Sequence, residues 1–177
     1  MVISKTNFTS NLEETVYNKI KEIVGTSYTH STLGTRTINY SDVYPQNYEG
    51  AKEKLPIIVF SRDSKSRPIQ FEQGGKRKYT DTFTVHILAG GYDDDTTNAF
   101  MKNEITDRIL FGFDIKWFDF INYDTGVPEG KYYCEASEVY RIPTGGASIY
   151  DRNRSQVSIT TWVTIWKDLT KQISLAT

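Results

Sequence analysis

The chain reads as an α+β domain: a mostly antiparallel sheet with a long β-hairpin and two helices packed on one face. Three observations predict this. Two stretches repeat apolar residues at helical spacing, and several others alternate apolar and polar residues with the period of a strand. The order of these segments is helix, hairpin, helix, then strands, which is not the regular alternation of a parallel βαβ fold. With 177 residues, one domain spanning 1–177 can bury a core without disulfides or metal.

The first helix is predicted over Asn11–Val24. Leu12, Val16, Ile20, Ile23 and Val24 share one face, while Glu13, Glu14, Lys19 and Lys21 lie off it. Ser10 with Glu13 three residues on has the spacing of a capping box. Gly25 is placed to end the helix. Residues 26–53 form a loop-rich insertion with one short strand within Ile38–Val43; the rest, including Tyr44–Tyr48, reads as loop.

Pro56–Phe60 is the first core strand. Its unbroken apolar run predicts burial on both faces, or under a helix, and Pro56 suits a strand start. Ser66–Gln73 and Lys76–Leu88 follow as arms of a long hairpin that closes at Gly74-Gly75. In the second arm Tyr79, Asp81, Phe83, Val85 and Ile87 share one face, and Thr80, Thr82, Thr84 and His86 the other.

Asp94 or Asp95 can cap a second helix that ends near Phe113, with Met101, Ile105 and Ile109 on its inner stripe. Asp114–Ile121 is a strand, Tyr123–Gly130 a turn-rich loop, Tyr132–Ile142 a strand, and Thr144–Ser148 a flexible connection. Gln156–Trp166 alternates clearly: Val157, Ile159, Val163 and Ile165 against Ser158, Thr160, Trp162, Thr164 and Trp166. A short tail runs from Lys167.

Composition narrows the function classes. Twelve Tyr, nine Phe and three Trp, with abundant Thr, favour strands and also suit protein interfaces. A net charge of −1 gives no bulk attraction to nucleic acid or to a membrane surface. No apolar run approaches the roughly 20 residues of a membrane span, and the N-terminus lacks the apolar core of a signal peptide. The single cysteine, Cys134, excludes an internal disulfide framework.

Chemistry is sparse. A Cys134–His86 pair on neighbouring strands is geometrically possible, but a buried cysteine is more often structural. Asp93-Asp94-Asp95 lacks the alternating ligands and central glycine of a calcium loop, so capping is the better reading. No phosphate-cradling glycine motif is present. These readings give no catalytic residue, no metal and no cofactor. The sharpest local feature is basic: Arg62, Lys65, Arg67, Lys76, Arg77 and Lys78 gather on the hairpin, opposed only by Asp63 and Glu72. The readings are a solvated loop, docking on an acidic partner surface, or contact with phosphates, with docking favoured over nucleic acid.

In its order of elements the chain resembles the phage tail terminator (tail-completion) family. The resemblance is carried by the capped Asn11–Val24 helix, the Leu55–Phe60 strand, the long polar hairpin and the Tyr79–Leu88 strand. The Asp94–Phe113 helix and the final strand Gln156–Trp166 complete it, so it covers most of the chain. The 26–53 insertion and the Phe113–Gly130 region are longer than in the smallest members. The resemblance implies a ring, typically a hexamer, that caps the head-proximal end of the tail tube, stops its growth and offers a docking surface to the head connector. It implies as partners other copies of the chain, the tail tube protein, the head connector or neck protein, and genomic DNA passing through the channel. It places the protein in the virion tail or neck, assembled in the host cytoplasm, with no membrane partner and no catalytic residues. Candidate interface residues come from this chain's own pattern: Arg62, Lys65, Arg67, Lys76, Arg77, Lys78, Trp162 and Trp166. The alternatives are another head–tail joining protein and a small nucleic-acid-binding module that uses the basic hairpin.

Overall fold

The computed structural model describes residues 8–42, 54–62, 67–72, 76–123, 125–141 and 153–166. In order these form α1 (Phe8–Val24), β1 (Ser27–His30), β2 (Gly34–Thr37), β3 (Asn39–Ser41), β4 (Ile57–Arg62), β5 (Arg67–Glu72), β6 (Lys76–Leu88), α2 (Asp95–Gly112), β7 (Lys116–Asn122), β8 (Val127–Arg141) and β9 (Arg154–Trp166). The α+β plan holds. One seven-stranded sheet runs β3-β4-β6-β9-β8-β7, with β5 also paired to β6. All its pairings are antiparallel except β3 on β4.

β6 is the spine of this sheet. One edge carries β4 along Phe83–Leu88 and β5 along Lys76–Thr80. The other edge pairs with β9 along its whole length, from Lys76 opposite Trp166 to Leu88 opposite Arg154. The predicted hairpin is therefore β5–β6. Its turn at Gly74-Gly75, like Tyr44–Tyr48, Thr144–Ser148 and the tail from Lys167, lies outside the described residues.

Both helices pack on one face of the sheet, α1 against β7 and α2 against β9, β8 and β6. The predicted stripes face inward: Leu12, Val16 and Ile20 from α1 and Met101, Ile105 and Ile109 from α2 are fully buried. They meet Phe83, Val85, Ile87, Val157, Ile159, Tyr132 and Cys134 from the sheet. Each large apolar side chain so buried stabilises the fold by about 1.5–3 kcal/mol in transfer free energy. The apolar run of β4 is covered on both faces as predicted. Ile58 and Phe60 join this core, while Ile57 and Val59 form a second cluster with Leu55 and Leu88 on the opposite face.

Three local expectations are corrected. α1 begins at Phe8, so Ser10 lies inside it and the Ser10–Glu13 capping box does not start the helix. Tertiary bonds anchor its first turns instead: Tyr123 N–H donates to Asn11 Oδ1 at 3.3 Å, and Ile121 N–H donates to Thr15 Oγ1 at 3.4 Å. At the other end Gly25 terminates it as expected, with φ +86° and its N–H on the Lys21 carbonyl.

The 26–53 stretch is not a plain loop. β1 and β2 form a small hairpin, with Ser27 opposite Thr37. Its strands are mostly exposed and only Tyr28 is buried, so apolar alternation does not mark them. Tyr92 pins this hairpin by donating to the Gly34 carbonyl at 2.7 Å, beneath the Arg36 guanidinium. β3 falls within the predicted Ile38–Val43 strand.

The Tyr123–Gly130 loop is also shorter than predicted, because β8 already starts at Val127. A register shift occurs there, with Phe120 opposite Gly130 but Ile121 opposite Pro128. A bulge of this kind is where an edge hairpin tolerates proline.

Candidate interaction surface

The face of the sheet away from the helices carries a row of aromatic side chains. Pairing sets Trp117 on β7 opposite Tyr133 on β8, and Tyr133 opposite Trp162 on β9. Their ring centroids lie 5.2 Å and 5.5 Å apart. Such cross-strand aromatic pairs each contribute roughly 0.2–1 kcal/mol to the sheet. Trp162 and Tyr133 are half-buried in the row, whereas Trp117 at its end remains 65% exposed.

The corner between α2 and β7 extends the apolar surface. Phe113 caps α2, with its N–H on the Ile109 carbonyl at 3.0 Å and its ring in the core. The chain must then turn sharply, and Ile115 takes a φ of +43°, a region L-residues with branched side chains rarely occupy. Ile115 is left 62% exposed and Phe111, on the last turn of α2, 70%. Lys116 Nζ donates to the Phe111 carbonyl at 3.0 Å and ties the corner together.

β7 is an outer strand, paired only with β8 among the described residues. α1 closes one end of its free edge, where Thr15 meets the backbone of Ile121 and Asn11 that of Tyr123. By the two-residue period of an antiparallel strand, the N–H and C=O of Trp117 and Asp119 point the same way as those of Ile121. Among the described residues, the α1 side chains bond to the β7 backbone at Ile121 and to Tyr123 beyond it, and not to Trp117 or Asp119. The open half of the edge therefore coincides with the exposed aromatic corner. Unpaired strand edges of this kind are templates for another chain.

The predicted interface residues divide. Arg62 donates from its guanidinium to Asp81 Oδ2 within the chain, and its side chain is 13% exposed. Lys65 lies outside the described residues. The backbones of Arg67, Lys76, Arg77 and Lys78 lie in β5 and β6, with Arg67 opposite Thr80, Phe71 opposite Arg77 and Glu72 opposite Lys76. On the other side of β6, Lys76 pairs with Trp166 and Thr80 with Trp162. The register thus gathers the basic arm and both predicted tryptophans at one end of the sheet. Phe111, Ile115 and Trp117 were not singled out from the sequence. The available signal was Trp117 alternating against Phe118 and Phe120, which puts a tryptophan on the polar side of β7.

The weighed chemical pair is separated. Cys134 points into the core, with Sγ 3.5 Å from the Phe113 carbonyl, and burial pushes its thiol up to about 12. His86 lies on the opposite face of β6, across from Gln156 on β9 and Val59 on β4. Asp94 is the α2 cap: its carboxylate accepts from the Thr96 and Thr97 N–H groups and the Thr97 hydroxyl. These bonds, the Thr97 hydroxyl first, hold its pKa below the ordinary value of 3.8. Among the described residues no group of three or more His, Cys, Asp or Glu could hold a metal ion.

Among proteins compared by sequence, neither a family model nor a curated protein matches this chain.

Proposed function

We propose that this chain is a structural subunit of a phage virion, a tail terminator that assembles into a ring on the head-proximal end of the tail tube. The observation that carries this reading is the unequal pair of outer strands on one sheet. β7 carries an open half-edge beside Phe111, Ile115 and Trp117, and the opposite side ends in β3 and in the β5–β6 hairpin, whose second strand begins with the basic run Lys76-Arg77-Lys78. Two dissimilar surfaces on opposite sides of one subunit favour head-to-tail contacts, which close into rings when the rotation permits. The order of elements behind the family resemblance is the order of the fold, which adds support. In this reading the ring, of six copies by that resemblance, halts tube growth and presents a platform to the head connector.

Native mass spectrometry of the purified protein, alone and mixed with tail-tube subunits, tests the proposal. A closed ring that adds to the end of the tube supports it. A chain that stays single with tube subunits but forms a complex with the head connector favours the neck-protein reading. Binding to DNA that weakens steeply with salt, without assembly, favours the nucleic-acid module.

A further inference from the structure

The tip of the β1–β2 hairpin closes on the ring of a histidine. His30 ends β1 opposite Gly34 on β2, and Ser31, Thr32 and Leu33 make the exposed turn between them. The N–H groups of Thr32 and Leu33 both donate to His30 Nδ1, at 3.4 Å and 3.3 Å. The Thr32 hydroxyl lies 3.2 Å from the same atom. A backbone N–H can only donate, so Nδ1 offers its lone pair and the ring proton sits on Nε2.

The turn therefore depends on the charge of the ring. A doubly protonated imidazole is a donor at both nitrogens. Its Nδ1–H would face the two N–H groups that Nδ1 now accepts from, and both bonds would be lost. Histidine is the side chain whose charge ordinarily changes between about pH 5 and 8.

The surroundings offer the charged ring another partner. Tyr92, at the entry to α2, has its ring 6.1 Å from the imidazole, and the Arg36 guanidinium of β2 stands 5.2 Å from the Tyr92 ring centroid. Tyr28 of β1 packs on Tyr92 from the same side, with centroids 6.4 Å apart. Asp94 caps α2, and after its Thr97 bonds a positive charge on His30 also helps to hold its carboxyl below the ordinary value. Asp93 and Asp95 flank it in the chain, so carboxylates outnumber Arg36 here. The body of the hairpin does not depend on the ring. The Thr29 and Thr35 hydroxyls bond across it at 2.9 Å, and the Tyr92 hydroxyl donates to the Gly34 carbonyl at 2.7 Å.

We infer that the Ser31–Leu33 turn is an acid-released switch: the neutral ring of His30 holds it closed, and protonation frees it while the ring turns to the carboxylates at the start of α2. The two bonds are long and exposed, so acid shifts the populations of a closed and an open tip and leaves the rest of the fold in place.

Nitrogen-15 NMR of the full chain from about pH 8 to about pH 5 tests this. At the upper end the His30 ring should carry its proton on Nε2. On acidification the Thr32 and Leu33 amide signals should shift with the same midpoint as the ring. His30→Asn keeps a side-chain acceptor for these N–H groups without a titrating charge, so in that variant the two signals should hold still. His86 remains in both proteins and controls for the other histidine. Amides that stay fixed while the His30 ring titrates overturn the switch, as does a neutral ring protonated on Nδ1. Equal shifts in His30→Asn also overturn it. The wild-type titration and the tautomer decide the matter by themselves should His30→Asn fail to fold.

Discussion

The Arg62 guanidinium donates to the buried Asp81 carboxylate across the β4–β6 pair, and Asp81 also accepts the Thr82 N–H at 3.1 Å. Asp81 stands on the otherwise apolar face of β6, in line with Phe83, Val85 and Ile87, and its side chain is 1% exposed. A carboxylate there is tolerated because a cation reaches it from the neighbouring strand. Removing only the cation takes the guanidinium from a buried carboxylate, and breaking a buried ion pair in this way costs about 3–5 kcal/mol. Arg62→Ala should lose about that much stability in urea unfolding. The joint replacement Arg62→Met with Asp81→Leu should return to within about 1.5 kcal/mol of wild type, because apolar residues of similar volume need no partner. A loss below about 1 kcal/mol for Arg62→Ala would show that the pair does not matter to the fold.

Gly112 and Ile23 set the approach of the two helices. A Cβ built on Gly112 would stand 2.7 Å from both Cδ1 and Cγ2 of Ile23. Replacing a helical glycine with alanine ordinarily gains up to about 1 kcal/mol. Here the clash reverses the sign, because β-branched Ile23 has little rotamer freedom to move aside. Gly112→Ala should destabilise by about 1–3 kcal/mol. Ile23→Ala in the same chain should recover part of that loss, with a coupling of at least about 0.5 kcal/mol. Purely additive effects of the two changes would sink the packing argument.

The legible parts of this molecule are those where burial imposes a period. The stripes Leu12-Val16-Ile20 and Met101-Ile105-Ile109 and the alternation through Phe83-Val85-Ile87 place both helices and the spine of the sheet from sequence alone. β1–β2 escaped because an exposed hairpin buries only Tyr28 and leaves no apolar rhythm. The start of α1 escaped because Asn11 and Thr15 bond to residues more than a hundred positions away. Arg62 reads as part of a basic run until its partner is seen. The hint was Asp81 itself, a charge in a core-facing position that requires a cation on an adjacent strand. Trp162, a candidate interface residue on the polar face of the last strand, is the half-buried end of a row whose exposed end is Trp117.

Cys134 should be inert in the folded protein. Burial raises its thiol to about 12, outweighing the lowering effects of the Lys116 backbone and charge. At about pH 8 the native chain therefore holds almost no thiolate, and the thiolate is the reactive species. A disulfide reagent such as DTNB should label Cys134 only as fast as the protein opens, and immediately in denaturant. Complete labelling within the mixing time in native buffer would contradict the buried placement.

Asp94 gives the protein an acid-sensitive helix start. Its pKa is lowered chiefly by the hydrogen bond from the Thr97 hydroxyl, then by the Thr97 and Thr96 backbone N–H groups. A carboxyl with a depressed folded pKa adds stability that is fully present above its unfolded value of 3.8, and this is lost as pH falls through the lower folded value. Asp94→Asn keeps an oxygen that can cap α2 but carries no charge for the helix dipole. The wild type should therefore melt higher than Asp94→Asn at about pH 6, with the gap narrowing as the pH approaches about 2. The carboxylate is solvent-exposed, so the charge-dependent part of the gap should also shrink in about 1 M salt, where screening acts within a few ångströms. Melting curves of the two proteins across that pH range decide the matter, and a gap that is constant with pH would mean that the Asp94 charge does not stabilise α2.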